Sequence, residues 1–299
     1  MPGQHSELLA PNTINPRPRL YGRPHRASVY YSYHGISIRG YKPNGMIYDC
    51  FLYNGEADLL KIRIEEMRQM LQPVTFVVVE SEYTFTGIRK PNYSRPTFDS
   101  DVRIEWFLVN PKKDGPWINE RDQRNAIKFI LHTFKPSDSD TIIISDVDEI
   151  PRSYAIQHYR KEFGLVALQM DMYYYYLNCL SARNEWILPR IMSWEYLKDK
   201  EPDDVRRSGF NLCLFQAGWH YCWQGGVDTM LTKFKSFSHQ EPEVQALADP
   251  KVLRGKLDKL ESLWGIEKFK IVNNQEMPYY VQTHTDEFKH MIYDSSLRS

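Results

Sequence analysis

One stretch constrains this chain more than any other: Thr141-Ile142-Ile143-Ile144-Ser145-Asp146-Val147-Asp148-Glu149-Ile150-Pro151. Three consecutive isoleucines need a place that is buried on both faces. A short, wholly apolar run of this kind reads as an interior strand of a parallel sheet. Pro151 cannot join a sheet ladder, so the strand is expected to be over by then. In open α/β sheets the ligand crevice lies beyond the carboxyl ends of the strands. Asp146, Asp148 and Glu149 therefore stand at the mouth of a site. Carboxylates packed this closely repel one another unless a cation sits between them. The pattern predicts bound Mg²⁺ or Mn²⁺, shared with a phosphorylated substrate. Asp-x-Asp after a strand is also an ordinary solvated loop start or helix cap, so the rest of the chain has to decide.

The length of 299 residues suits one large α/β domain or two small ones. Lys plus Arg and Asp plus Glu both number 38, a balance that argues against nucleic acid or an anionic membrane as partner, a local basic patch aside. Aromatic residues make up 14%, with 20 tyrosines, which serve either as core or as flat surfaces for stacking on sugars and bases. None of the four cysteines (Cys50, Cys179, Cys213, Cys222) has C-x-x-C spacing, which argues against zinc, and Cys50 and Cys213 read as buried thiols. No run approaches 18 apolar residues, and the N-terminus has no apolar signal core. The expectation is a soluble, cytoplasmic protein.

Residues 1–40, punctuated by five prolines, read as an irregular N-terminal arm. Residues 41–299 read as one domain: a nucleotide-binding half over 41–150 and a second half over 151–299. Met46–Tyr53 is a strand, Glu56–Leu71 a helix with a broad apolar face, and Val74–Val79 a second buried strand. Val102–Val109 is a third strand, and Asn119–Phe134 a helix leading into the isoleucine strand. This βα series is the first half of a nucleotide-binding fold. Farther on, Gly164–Leu177 is rich in β-formers, Asp199–Arg207 reads as a charged loop, and Asn211–Phe215 as a strand. Ala217–Asp228 reads as a Gly-, Trp- and His-rich loop. Helices are expected over Glu241–Leu247 and Pro250–Trp264.

Four motifs carry a resemblance. Phe51-Leu52-Tyr53-Asn54-Gly55-Glu56-Ala57-Asp58-Leu59-Leu60, Val79-Glu80-Ser81-Glu82-Tyr83-Thr84-Phe85-Thr86-Gly87, Ser145–Pro151 and Ala217-Gly218-Trp219-His220 occur in the order in which similar motifs occur in glycosyltransferase family 17. This is the family of the β-1,4-mannosyl-glycoprotein N-acetylglucosaminyltransferase that adds bisecting GlcNAc. The resemblance spans Tyr48 to about Gln240. It implies a GT-A-like single domain with a mostly parallel central sheet flanked by helices. It also implies an inverting, metal-dependent transfer of a sugar, GlcNAc from UDP-GlcNAc, onto a hydroxyl of a glycan or other acceptor. The family's animal members carry a membrane anchor and have Cys after Trp-His, where this chain has Tyr221. A Golgi location would require an anchor not seen in this sequence.

The resemblance implies roles for particular residues. Asp146, Asp148 and His220 would hold Mn²⁺ or Mg²⁺, with His239 the alternative to His220. Asp148 would touch the metal directly, and Asp146 the ribose. Asn54, Glu56, Glu80, Glu82, Arg121, Arg124, Asn125 and Asp146 would line the UDP-sugar site, although Arg121 and Arg124 equally suit a solvated helix face. Inversion needs a general base. Asp228 is the choice, in a Trp…Gly-Gly-x-Asp loop similar to that of β-1,4-galactosyltransferases; Asp171, Glu195 and Asp204 are alternatives. Glu149 joins the catalytic candidates. Two rival readings are a phosphohydrolase of the haloacid dehalogenase type, whose motif needs Thr where Ile150 stands, and a carbohydrate-binding protein that has lost catalysis.

Overall fold

Alternation along one strand organises the two faces of the sheet. In β1 (Ile47–Tyr53), Ile47, Phe51 and Tyr53 point to one side, and Tyr48, Cys50 and Leu52 to the other. Helix α1 (Ala57–Met67) covers the first side with Leu60, Ile64 and Met67. Beyond it come β2 (Val74–Ser81), β3 (Arg103–Val109) and helix α2 (Pro116–Phe134). Helix α2 covers the second side with Ile127, Ile130 and Leu131. It begins with Pro116 in its first turn and ends at a left-handed Lys135 followed by Pro136, the expected stop signals. Strand β4 (Thr141–Asp146) follows, with Ile142 to Ser145 fully buried. Strands β4, β1, β2 and β3 lie in that order, all parallel. Their carboxyl ends meet where Tyr53, Glu80 and Asp146 leave the ladders.

The structure is a computed structural model describing residues 45–91, 95–110, 114–265 and 267–298. The chain divides into two compact units, Met1–Lys42 and Pro43–Ser299, and every described residue belongs to the second. The expected irregular arm over 1–40 lies outside the described residues.

After Asp146 the chain does not leave the sheet. Val147 and Asp148 form a turn, and β5 (Glu149–Pro151) pairs antiparallel with a later strand. Pro151 is thus the last residue of a second short strand. A short helix α3 (Ser153–Ile156) follows, then β6 (Val166–Tyr174), β7 (Cys179–Trp186) and β8 (Arg190–Ser193). Helices α4 (Trp194–Leu197) and α5 (Pro202–Arg207) come next, then β9 (Leu212–Cys222). Helix α5 stands where a charged loop was expected. Strand β9 also runs seven residues past the expected Phe215, so Gly218, Trp219 and His220 sit in a strand rather than a loop. Gly218 is required there: a Cβ would lie 2.3 Å from the carbonyl oxygen of Ile150, where β5 crosses close to β9. Helix α6 (Gly226–Ser236) starts from a left-handed Gly225. Helices α7 (Pro242–Gln245) and α8 (Pro250–Asp258) are shorter than expected; strand β10 (Phe269–Ile271) and helices α9 (Tyr279–Thr283) and α10 (Thr285–Phe288) close the chain.

The full sheet order is β10-β7-β6-β8-β4-β1-β2-β3, with β9 parallel to β6 and antiparallel to β5. This is the expected α/β architecture of a central sheet flanked by helices. No helix among the described residues is long and apolar enough to cross a membrane.

Candidate active site

The turn that follows β4 is built from beneath by a buried ion pair. Asp49 lies on the α1 side of β1, and Arg63 on α1 reaches it with Nε at 2.8 Å and Nη2 at 2.5 Å. Both side chains are completely buried. Burial of a charge is tolerated only when it is paired and its remaining donors are used. Arg63 meets that condition at the site itself. Its Nη1 donates to the carbonyl oxygens of Asp146 at 2.9 Å and Glu149 at 2.8 Å, and its Nη2 to the Ser145 hydroxyl at 2.6 Å. The guanidinium also stacks 4.2 Å from the Phe51 ring centre. Sequence reasoning missed this pair. The available signal was an arginine inside the apolar face of a helix and an aspartate inside an apolar strand.

Two more arginines hold the carboxylates from above. Arg124 of α2 donates through Nη1 to Asp146 Oδ1 at 2.6 Å, and it pairs also with Glu120 and Asp203. Arg206 of α5 donates to Asp146 Oδ2 at 2.8 Å and to both oxygens of Glu149 at 2.8 and 2.6 Å. Burial would raise the Asp146 carboxyl, but Arg124 and Arg206 outweigh it and hold it far below the usual carboxylate range. Glu149 is fully buried; it also accepts from the Asp146 amide at 2.7 Å and from the Trp186 indole. All the acceptor positions of Glu149, expected among the catalytic residues, serve to fix the turn. Arg206 was missed because its segment was read as a loop. The two helix arginines also separate. Arg124 is buried at the site, whereas Arg121 is half exposed and faces Asp122, a solvated helix face. Asn125, expected at the donor, accepts from the Asp203 amide through its side-chain oxygen and so tethers α5.

Asp148 differs from its neighbours. Its carbonyl accepts from the Tyr221 amide at 2.8 Å, which ties the turn to β9. Its Oδ2 pairs with Lys233 of α6 at 3.1 Å, and its Oδ1 faces His220 Nε2 at 3.8 Å. The β5–β9 register, Glu149 opposite His220, places that imidazole beside the turn. Burial lowers the His220 pKa, which favours the neutral ring that can ligate a metal. Two donors each about 2.1 Å from one cation lie roughly 3–4 Å apart, so Asp148 and His220 fit as a pair of ligands. Each Asp146 oxygen already accepts from one arginine, which leaves its remaining acceptor capacity on the one-third-exposed edge. Among the described residues no three His, Cys, Asp or Glu side chains converge on one metal position. A cation held by two side chains alone would need water or substrate oxygens to complete its coordination.

The other expected residues surround this turn unevenly. The Asn54 amide donates to Glu56 Oε2 at 2.8 Å, and the Asn54 side chain reaches Ser236 at the end of α6. Burial, reinforced by Asp148, raises the Glu56 carboxyl. Glu80 and Glu82 line a cavity of about 410 Å³ with Arg89, Lys90 and Arg95. Asp228 is exposed in the first turn of α6. His239 packs against Trp117 and pairs with Glu241. Asp171 faces Arg152, while Glu195 and Asp204 are exposed on helices α4 and α5.

Comparison with known proteins gives this arrangement its class. A family description matches residues 10–263, most of the chain, and it is that of a glycosyltransferase. The chain belongs to glycosyltransferase family 17. No curated protein matches it. Among solved structures it is similar to the galactosyltransferase LgtC in complex with donor and acceptor sugar analogues, at 10% identity over 85% of this chain and 99% of that one. The TM-score of that match is 0.30, too slight a likeness to bear on the site.

Proposed function

We propose that this enzyme transfers N-acetylglucosamine from UDP-N-acetylglucosamine, with inversion, onto a hydroxyl of a glycan or other acceptor. The donor and the stereochemistry come from the resemblance to the bisecting-GlcNAc transferase. One observation carries the site assignment: Asp148 Oδ1 and His220 Nε2 face each other at 3.8 Å beyond the carboxyl end of an interior strand. These two side chains would hold Mn²⁺ or Mg²⁺. Such a cation, when bound, offsets the negative charge that builds on the leaving diphosphate.

The chain's own residues divide the remaining work. Arg63, Arg124, Arg206 and Glu149 fix the turn, so Asp148 needs no reorganisation when substrate arrives. Asp146, one-third exposed, presents its edge to the ribose. Asn54, Glu56, Glu80 and Glu82 line the nucleoside side, and residues 151–299 form the acceptor side. Asp228 takes the proton of the acceptor hydroxyl as that oxygen attacks the anomeric carbon from the face opposite the diphosphate.

The test is a screen of nucleotide sugars by UDP release, with and without Mn²⁺, followed by mass spectrometry of products from a panel of acceptors. UDP release that needs Mn²⁺ and prefers UDP-GlcNAc is expected. Absence of UDP release from every donor would overturn the proposal. Asp228→Asn should keep UDP affinity and lose transfer; normal transfer by that variant would remove Asp228 from the role of base.

A further inference from the structure

The cations around the turn are of two kinds. Arg124 and Arg206 are almost fully buried, and each is forked across more than one carboxylate. They cannot leave without stranding charges. Lys233 makes one ion pair, to Asp148 Oδ2 at 3.1 Å; its ammonium also lies 5.4 Å from the Trp223 ring centre, and a third of its side chain is exposed. A lysine is a point charge on a flexible stem, able to change partners at little cost. Its backbone, by contrast, is fixed. Val227, Met230 and Phe234 bury the inner face of α6. The far end of that helix is tied down where the Ser236 carbonyl accepts from the Phe85 amide at 3.1 Å and the Lys235 carbonyl from the Thr86 hydroxyl at 2.8 Å. The ammonium thus stands on a rigid base beside Asp148, the carboxylate of the turn for which no arginine pair is seen, with Glu56 also acting on it.

We propose that Lys233 is a resident counter-cation: it neutralises Asp148 in the donor-free protein and turns to the diphosphate of the nucleotide sugar when the donor binds. This rests on the nucleotide-sugar reading above and deepens it. The consequence is competition. Until the donor arrives, Lys233 opposes any divalent cation at Asp148, by charge and by holding Oδ2. Once the ammonium moves to the diphosphate, Asp148 is released for the metal. Donor and metal binding are then coupled through one side chain, and such a coupling is reciprocal.

The competition predicts effects of opposite sign. In Lys233→Met, Mn²⁺ titrated alone, followed by the loss of its free-ion spin-resonance signal, should bind about 10-fold more tightly than to the wild type. UDP titrated alone in chelator, followed by calorimetry, should bind about 10-fold more weakly. Lys233→Gln, which is shorter and uncharged but keeps a polar end, must show the same two signs and guards against misfolding of the Met variant. Both affinities falling together would mean a structural lesion and would overturn the proposal, as would two unchanged affinities. Wild-type protein that binds no UDP would instead remove the donor reading itself. Wild-type binding with indifferent variants would remove only the role of Lys233.

Discussion

Asp146 and Asp148 are two residues apart, yet their surroundings are opposite. Asp146 and the neighbouring Glu149 are held by Arg124 and Arg206, over a turn whose carbonyls are pinned by Arg63. Asp148 pairs with one partly exposed lysine and faces one imidazole across 3.8 Å. The difference shows how a turn of like charges is kept in place. The protein spends three buried guanidiniums on one end so that the other end can remain under-coordinated and wait for a ligand. The first end should therefore answer to mutation mainly through stability, the second mainly through activity.

The largest effect on stability is expected at the base of the clamped end. Arg63→Met leaves Asp49 buried without its partner, a change that costs about 3–5 kcal/mol in comparable buried pairs. It also frees the carbonyls of Asp146 and Glu149 from their donor. Urea denaturation should show the loss, and Arg63→Met/Asp49→Leu should recover part of it, because no charge is then stranded. A single variant within about 1 kcal/mol of wild type would break the comparison at its base.

The clamp was also the part least legible in the sequence. The isoleucine run did identify β4, its burial and the position of the carboxylates, because the pattern of apolar residues along a strand is a local property. Ion-pair partners are not. Asp49 and Arg63 meet because α1 packs back on β1, and Arg206 reaches Glu149 across 57 residues. Helix α5 did leave a local trace: Pro202 in its first turn, Asp203 and Asp204 after it, and Arg206 and Arg207 in its last turn. That charge order suits a helix dipole and argues against a loop. His220 was found as a residue but misplaced in a loop. Gly218 looked like a turn residue, whereas it serves the close crossing of β5 and β9.

A smaller and pH-dependent effect is expected one step up the clamp. The folded-state pKa of Asp146 is lowered against its own burial by Arg124 and Arg206. A depressed carboxyl contributes stability that is fully present above its unfolded pKa, near 4, and is lost as pH falls toward the folded value. Asp146→Asn should thus be less stable than wild type by about 1–3 kcal/mol at pH 7. The gap should narrow as denaturation is repeated below about pH 4. A gap that stays constant down to pH 3 would show that shape rather than charge holds Asp146.

The smallest effect on stability should come from Asp148, where the effect on turnover is expected to be complete. Asp148→Ala removes a carboxylate that faces the His220 imidazole at 3.8 Å and pairs with the partly exposed Lys233, which water can solvate in its place. The Asp148 backbone contact to Tyr221 does not depend on the side chain, so β5 and β9 keep their register. A stability change within about 1 kcal/mol is expected, with sugar transfer abolished and Mn²⁺ binding lost. Normal turnover in this variant would place the metal elsewhere. Lost turnover together with a large loss of stability would instead make Asp148 part of the clamp, and the division between the two ends of the turn would fail.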